Sequence, residues 1–89
     1  MEIKMDIPEY IPEKGITYQW LDGAEIRTVI DNGKILILAN RDGLISLANH
    51  MLNLAQETIP RGYHMHFDEF NSLEEGSIDL IIEKHSISV

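Results

Sequence analysis

Two histidines and an aspartate alternate with apolar residues in the segment His64-Met65-His66-Phe67-Asp68. In a β-strand, residues i, i+2 and i+4 project from the same face, so His64, His66 and Asp68 would converge there. Two imidazoles and a carboxylate are ligands that zinc accepts, although a catalytic site would need a third firm ligand from elsewhere in the chain. The same alternation is typical of a polar strand face that contacts solvent or a protein partner. Two interpretations stay open: a metal site at His64, His66 and Asp68, or a partner-facing stripe.

The residues that follow this segment are acidic and have aromatic neighbours. The acids are Asp68, Glu69, Glu74 and Glu75, with Asp79 beyond, and the aromatic residues are Tyr63, Phe67 and Phe70. Protein interfaces favour aromatic anchors, and surrounding charges steer the encounter with a partner. The pattern predicts a contact surface for a basic protein, with a plain solvated loop as the alternative.

Other catalytic chemistry lacks the residues it needs. The chain has no cysteine, no Gly-x-Ser-x-Gly nucleophile motif and no glycine-rich phosphate loop. Its six glycines are isolated at expected turns or helix boundaries, except Gly43, which falls in the first turn of a predicted helix. Glycine is unfavourable there, which indicates a close approach of another backbone. We therefore expect a protein that is not an enzyme and binds no cofactor.

Strands and one helix would position these residues. Alternation or strand-forming composition predicts six strands, at residues 1–7, 17–21, 25–30, 34–39, 63–68 and 78–83. The turn residues Asp31-Asn32-Gly33 predict a tight hairpin between the third and fourth of them. The continuous apolar run at 35–39 indicates a central strand that is covered on both faces.

The helix is predicted over residues 44–55, after a capping Asn40 and before Pro60. The predicted fold class is α+β: one antiparallel β-sheet of about four to six strands with a single amphipathic helix packed on one face, in the order β-β-β-α-β-β. One helix covers one side of a sheet, so the other face would meet solvent or a partner. A homodimer through this uncovered face is one option, with the candidate contacts Val29, Leu36, Leu38 and Ile81.

The 89 residues carry 7 basic and 15 acidic side chains, which gives a net charge of −8. Binding to nucleic acids or anionic membranes relies on clustered basic residues, so this charge argues against both partners. A single domain over 1–89 is expected, with residues 1–15 as a further strand and an irregular connection. The absence of cysteine and of a long apolar segment is consistent with a cytoplasmic location.

Three motifs together resemble the immunity protein 32 family of bacterial polymorphic toxin systems. They are Asn40-Arg41-Asp42-Gly43-Leu44 at the helix start, the strand Gly62-Tyr63-His64-Met65-His66-Phe67-Asp68-Glu69, and the turn Leu73-Glu74-Glu75-Gly76-Ser77. The resemblance covers roughly residues 35–84, whereas the residues before about 15 match nothing familiar.

The resemblance implies a non-enzymatic cytoplasmic protein of α+β fold that binds a cognate toxin domain and blocks it. Antidotes to nucleases are commonly acidic and occupy a basic cleft, which agrees with the charge of this chain. The residues expected to contribute to the contact with the toxin are Tyr63, His64, His66, Asp68, Glu69, Glu74 and Glu75.

Overall fold

A computed structural model describes residues 1–86 of the chain. The elements are β1 (Ile26–Asp31), β2 (Lys34–Ala39), α1 (Arg41–Leu54), β3 (His64–Phe67) and β4 (Leu80–Glu83). The α+β class and the single helix are confirmed. Within these residues, α1 is too short and too polar to cross a bilayer.

The first hairpin forms as its turn residues predict. Asn32 and Gly33 both have positive φ, 51° and 73°, which is the conformation that a type I′ turn requires. The turn aligns β1 antiparallel to β2, with Asp31 opposite Lys34 and Ile26 opposite Ala39. The prediction of this hairpin is confirmed.

The start of α1 is fixed by its cap and by Gly43. The Asn40 side-chain oxygen accepts from the Gly43 N–H at 2.8 Å and from the Glu25 N–H at 3.0 Å, so it joins the helix to β1. A Cβ atom on Gly43 would lie 2.5 Å from the Glu25 carbonyl oxygen and 2.9 Å from Cγ1 of Ile26. The close backbone approach predicted at Gly43 is therefore confirmed, because no larger residue fits without moving β1.

The prediction of one continuous sheet is wrong, because β1 pairs with β2 and β3 pairs with β4 in two separate two-stranded sheets. Residues 74–78 lie beside β1 but share only two backbone hydrogen bonds with it, from the Glu74 N–H to the Ile26 carbonyl at 2.8 Å and from the Ile78 N–H to the Thr28 carbonyl at 2.9 Å. Side-chain hydrogen bonds join Thr28 to Ser77 and Ile78 as well. A turn with Gly76 at φ 85° interrupts this segment and prevents a regular ladder. The observed order is β-β-α-β-β.

The strands predicted at residues 1–7 and 17–21 are absent. Polar side chains of α1 hold this part of the chain instead: Asn49 donates to the Asp6 carbonyl, Gln56 accepts from the Tyr10 N–H, and Ser46 accepts from the Leu21 N–H. These contacts satisfy individual backbone groups without a neighbouring strand. The alternating pattern at 1–7 is real, but the segment packs along a helix.

The buried core lies between α1 and the inner faces of the two hairpins. It consists of Ile16, Ile26, Leu47, Leu54, Ile59, Met65, Phe67 and Leu73. No residue of β2 belongs to it, and Ile35, Ile37 and Leu38 are all exposed. The prediction that β2 is a central strand is wrong, because β2 lies at the edge of its sheet and pairs only with β1.

Candidate partner-binding site

The loop that joins β3 to β4 is held in one shape by its own hydrogen bonds. The Asp68 carboxylate accepts from the N–H groups of Phe70 and Asn71 at 2.9 and 3.1 Å, which is the pattern of an Asx turn. In return, the Asn71 side-chain oxygen accepts from the Asp68 N–H at 3.0 Å, and the Asn71 amide group donates to the His66 carbonyl. We call residues 68–76 the acidic loop.

Further contacts attach the acidic loop to the rest of the molecule. Leu73 is buried in the core, and its N–H donates to the Asp68 carbonyl at 2.9 Å. The Glu69 carboxylate accepts from the Gly76 N–H at 2.8 Å, which closes the loop on itself. The loop is therefore ordered before any partner arrives, and binding would cost little conformational entropy.

Phe70 is 91% exposed on the acidic loop. Its backbone is held by Asp68, but its ring contributes nothing to the core. A large aromatic side chain in water on an ordered loop is the arrangement of an interface anchor, because burying it in a partner would gain apolar contact without first ordering the loop.

Acidic side chains share the loop with this aromatic residue. Glu69 and Glu75 are exposed, whereas Glu74 is half-buried. Glu74 also lines an open hollow of about 510 Å³ between the loop and the first hairpin. The other residues that line it are Glu25, Ile26, Arg27, Leu38, Ala39 and Asn40. The hollow places Glu25, from a distant part of the sequence, beside the acidic loop, so the negative surface extends beyond the predicted residues.

The two histidines of β3 have different surroundings in the structure. The His66 Nε2 atom lies 2.8 Å from a carboxylate oxygen of Asp79. Among the described residues, His66, Asp68 and Asp79 each offer a ligand atom, and these atoms lie within 4.8 Å of one another. His64 is exposed two residues earlier, opposite Glu83, and is not part of this group. Three side chains could therefore hold a metal ion, with Asp79 in place of the predicted His64.

Tyr63 has a structural role in addition to its predicted one. It is half-buried, and its hydroxyl accepts from the Ile16 N–H at 3.2 Å. Its ring packs edge-to-face against Tyr10 at a centroid distance of 5.7 Å. Tyr63 thus connects the N-terminal segment to β3, at the opposite end of the strand from the acidic loop.

An aromatic groove of about 310 Å³ lies beside the acidic loop. Its walls are Tyr18, Trp20, His66, Phe67, Asn71 and Ser72. Trp20 and Tyr18 are partly exposed in this groove and pack edge-to-face on the ring of His50, at centroid distances of 4.4 and 5.0 Å.

His50 is fully buried behind these rings, and it stacks on Phe67 at 5.9 Å. Within residues 1–86 neither of its ring nitrogens has a hydrogen-bond partner, and burial lowers the pKa of His50 to about 4. Burial, with a smaller contribution from Tyr63, also raises the pKa of Tyr18. His50 is therefore neutral near pH 7 and acts as an apolar ring that supports the floor of the aromatic groove.

The structure brings four of the seven predicted contact residues, Asp68, Glu69, Glu74 and Glu75, onto one loop, with His66 at its base. Tyr63 and His64 lie at the other end of β3. Glu25 was not predicted, and Phe70 was noted as an aromatic neighbour of the acids but was not among the seven predicted contact residues. A signal for Phe70 exists in the sequence, because an aromatic residue directly after Asp68-Glu69 has polar neighbours and no apolar alternation that would bury it.

Taken together, the fold and the site define a small α+β binding protein whose preformed acidic loop presents an exposed aromatic residue. A sequence model of the immunity protein 32 family matches residues 34–85, which is more than half of the chain and includes the whole acidic loop. The chain therefore belongs to the immunity protein 32 family. Membership indicates an immunity function with a cognate toxin as the partner, and immunity proteins are generally non-enzymatic. Searches of curated proteins and of solved structures find no match.

Proposed function

We propose that this protein binds the catalytic domain of a cognate bacterial toxin and neutralises it by covering the active site, without catalysing a reaction itself. The observation that carries the proposal is Phe70, 91% exposed on a loop that is already ordered by hydrogen bonds. The match to an immunity protein family over this loop supports the same function. The protein would act in the bacterial cytoplasm, where the producing cell needs protection.

The partner surface would be basic. Asp68, Glu69, Glu74 and Glu75 lie on the same loop as Phe70, and Glu25 extends the negative surface across the neighbouring hollow. Opposite charge speeds association and suppresses wrong partners, whereas the buried aromatic contact slows dissociation. A toxin that handles a polyanionic substrate has such a basic cleft, and the acidic loop would occupy the place of that substrate.

The aromatic groove would receive one basic side chain of the toxin. Trp20 and Tyr18 are partly exposed beside the acidic loop, and among residues 1–86 no basic residue lines the groove apart from His66, which is paired with Asp79. A Lys or Arg side chain placed over such rings gains about 0.5–2 kcal/mol from the cation–π interaction.

The proposal is tested by measuring the affinity between this protein and the toxin domain encoded beside its gene, with Phe70→Ala and a control. Loss of an interface anchor costs about 2 kcal/mol or more, so we expect the Kd to rise at least about 30-fold. Leu52→Ala is the matched control, because Leu52 is an exposed apolar residue on the helix. Equal affinities for both variants would place the interface elsewhere.

Metal binding is a second candidate function, favoured by one observation. Ligand atoms of His66, Asp68 and Asp79 lie within 4.8 Å of one another, although Asp68 already uses one oxygen to hold the acidic loop. Elemental analysis of protein purified without an affinity tag tests it, since stoichiometric zinc that is lost in both His66→Ala and Asp79→Asn would support the site. Zinc that is lost in His64→Ala and kept in Asp79→Asn would instead support the trio of His64, His66 and Asp68.

A further inference from the structure

The far end of the first hairpin carries three exposed isoleucine side chains. Ile30, Ile35 and Ile37 are 64%, 69% and 40% exposed. All three share the face on which Ile26 and Thr28 are buried, because Ile30 lies opposite Ile35 and Thr28 lies opposite Ile37. The inner face of the hairpin therefore continues beyond the core as an uncovered apolar surface.

The helix contributes a second apolar strip on the same side of the molecule. Leu44 and Met51 are exposed and Ala48 is half-buried, at the spacing of one helical stripe. The N-terminal segment covers the other flank of α1 through Asn49 and Gln56, on the side where Tyr10 meets Tyr63 of the second hairpin.

The order of neighbours around β1 shows where this strip points. β1 has β2 along one edge and residues 74–78 along the other. Since the N-terminal segment lies toward β3, the flank with Leu44 and Met51 lies toward β2. We call this flank, together with Ile30, Ile35 and Ile37, the apolar corner.

β2 also has a free hydrogen-bonding edge beside the apolar corner. The Asn40 N–H donates to the Glu25 carbonyl at 3.1 Å, so hydrogen-bonded pairs alternate from there along the ladder to Asp31 and Lys34. This alternation directs the N–H and C=O groups of Ile35, Ile37 and Ala39 away from β1. Within residues 1–86, β2 has no second strand to receive them.

We propose that this edge binds the same edge of a second copy of the chain, so that two β2 strands pair antiparallel and form one four-stranded sheet around a two-fold axis. With Ile37 opposite its counterpart, Ile35 lies opposite Ala39 of the other copy, and the outward groups of both strands bond to each other. The two helices then lie on one side of the joined sheet, and their Leu44 and Met51 flanks face each other.

The charges near the apolar corner favour a second copy of the chain, rather than the toxin, as the partner that binds there. Between Asp31 and Asp42 the chain has no acidic residue, and it has the two basic residues Lys34 and Arg41. A basic toxin gains no attraction at this surface, whereas two acidic copies can meet here with their acidic loops kept apart. The dimer surface adjoins the toxin-facing surface only at Leu38 and Ala39, which also line the hollow beside Glu74, so a dimer can hold two toxin molecules.

Sedimentation velocity of the full chain tests this proposal without the toxin, so its failure is distinguishable from failure of the immunity function. We expect a dimer for the wild type and a monomer for Ile37→Lys, since the two added charges would face each other across the axis. The dimer dissociation constant should rise at least about 100-fold. Ile35→Lys, at a more exposed position, is a second variant if Ile37→Lys does not fold.

Two controls make the result specific. Ile81→Lys places the same charge on the outer sheet face and should remain dimeric, and an equal mixture of Ile37→Lys and Ile37→Glu should form a heterodimer. A wild type that stays monomeric at all concentrations would overturn the proposal. So would dissociation by Ile81→Lys with no effect of Ile37→Lys, because the copies would then meet through the sheet face. Absence of the heterodimer would contradict the alignment through Ile37.

Discussion

His50 combines complete burial with two ring nitrogens that have no hydrogen-bond partner in the described part of the chain. Burying a polar group without a partner costs free energy, so this residue reduces the stability of the fold. An apolar residue of similar volume should fit better among Trp20, Tyr18 and Phe67. We expect His50→Leu to leave the free energy of unfolding at pH 7.5 unchanged or to raise it, as measured by urea denaturation.

The pH dependence of stability gives a second test at His50. Burial lowers its pKa from 6.5 to about 4, so between these values the unfolded chain binds a proton that the folded chain does not. Protonation of His50 in the unfolded chain has no effect on the free energy of unfolding above about pH 6.5. As the pH falls from there toward 4, it lowers the free energy of unfolding progressively. Relative to His50→Leu, the wild type should lose roughly 3 kcal/mol over this range. Parallel pH profiles for the two proteins would show that His50 is not shielded from water.

Gly43 provides a prediction whose sign is opposite to helix propensity. Alanine in a helix is ordinarily about 1 kcal/mol better than glycine. At this position the added Cβ would meet the Glu25 carbonyl at 2.5 Å and push α1 away from β1. We expect Gly43→Ala to destabilise the protein by about 1–3 kcal/mol in thermal or urea unfolding. Arg41→Ala, an exposed change in the same helical turn, should change stability by less than about 0.5 kcal/mol.

Among the elements, the acidic loop shows how one residue can serve both shape and charge. The Asp68 side chain accepts two backbone N–H groups, and it also adds to the negative surface around Phe70. Asp68→Asn keeps an acceptor oxygen and removes the charge, whereas Asp68→Ala removes both.

This pair separates the two roles of Asp68. We expect Asp68→Ala to lose about 1–2 kcal/mol of stability and to speed hydrogen exchange at the Phe70 and Asn71 amides, because those groups lose their acceptor. Asp68→Asn should keep slow exchange at these amides and bind the toxin more slowly. Equal exchange rates in the two variants would mean that the side chain does not hold the loop.

Local patterns predicted the elements that local interactions determine. The first hairpin follows from Asn32-Gly33, and the helix follows from its amphipathic spacing and the Asn40 cap. The prediction of strands in the N-terminal segment was wrong, because the hydrogen-bond partners of this segment are side chains of α1 that are distant in sequence, such as Asn49 and Gln56.

Burial and pairing of strands were harder to predict than the strands themselves. The apolar run in β2 suggests a covered central strand, but an exposed edge strand that pairs with another molecule has the same composition. The acidic residues of the candidate site could be predicted, because they lie close together in the sequence. The role of Phe70 became clear only with the structure, which shows that Leu73, rather than Phe70, fixes the loop to the core.

At the scale of the whole molecule, acids and apolar surface are segregated. The net charge of −8 includes the acidic loop, whereas the apolar corner borders a segment that contains only basic charges. One surface thus suits a basic toxin, and the other suits a second copy. This division requires that charge at the acidic loop, rather than total charge, controls association with the toxin.

Charge reversal tests this requirement. The double variant Glu74→Lys and Glu75→Lys should slow association with the toxin about tenfold at low salt and flatten its dependence on ionic strength. Glu9→Lys with Glu13→Lys changes the net charge equally in the N-terminal segment and should have a smaller effect. Stopped-flow association rates measure both, and equal slowing would show that only total charge matters.

The central claim is that the acidic loop with Phe70 neutralises a toxin, and growth of bacteria that express the neighbouring toxin domain tests it most directly. With this protein co-expressed, we predict growth for the wild type and for Leu52→Ala, and loss of protection for Phe70→Ala at an equal level of folded protein. Growth arrest despite abundant wild-type protein, or full protection by both Phe70→Ala and the reversal of Glu74 and Glu75, would contradict the account.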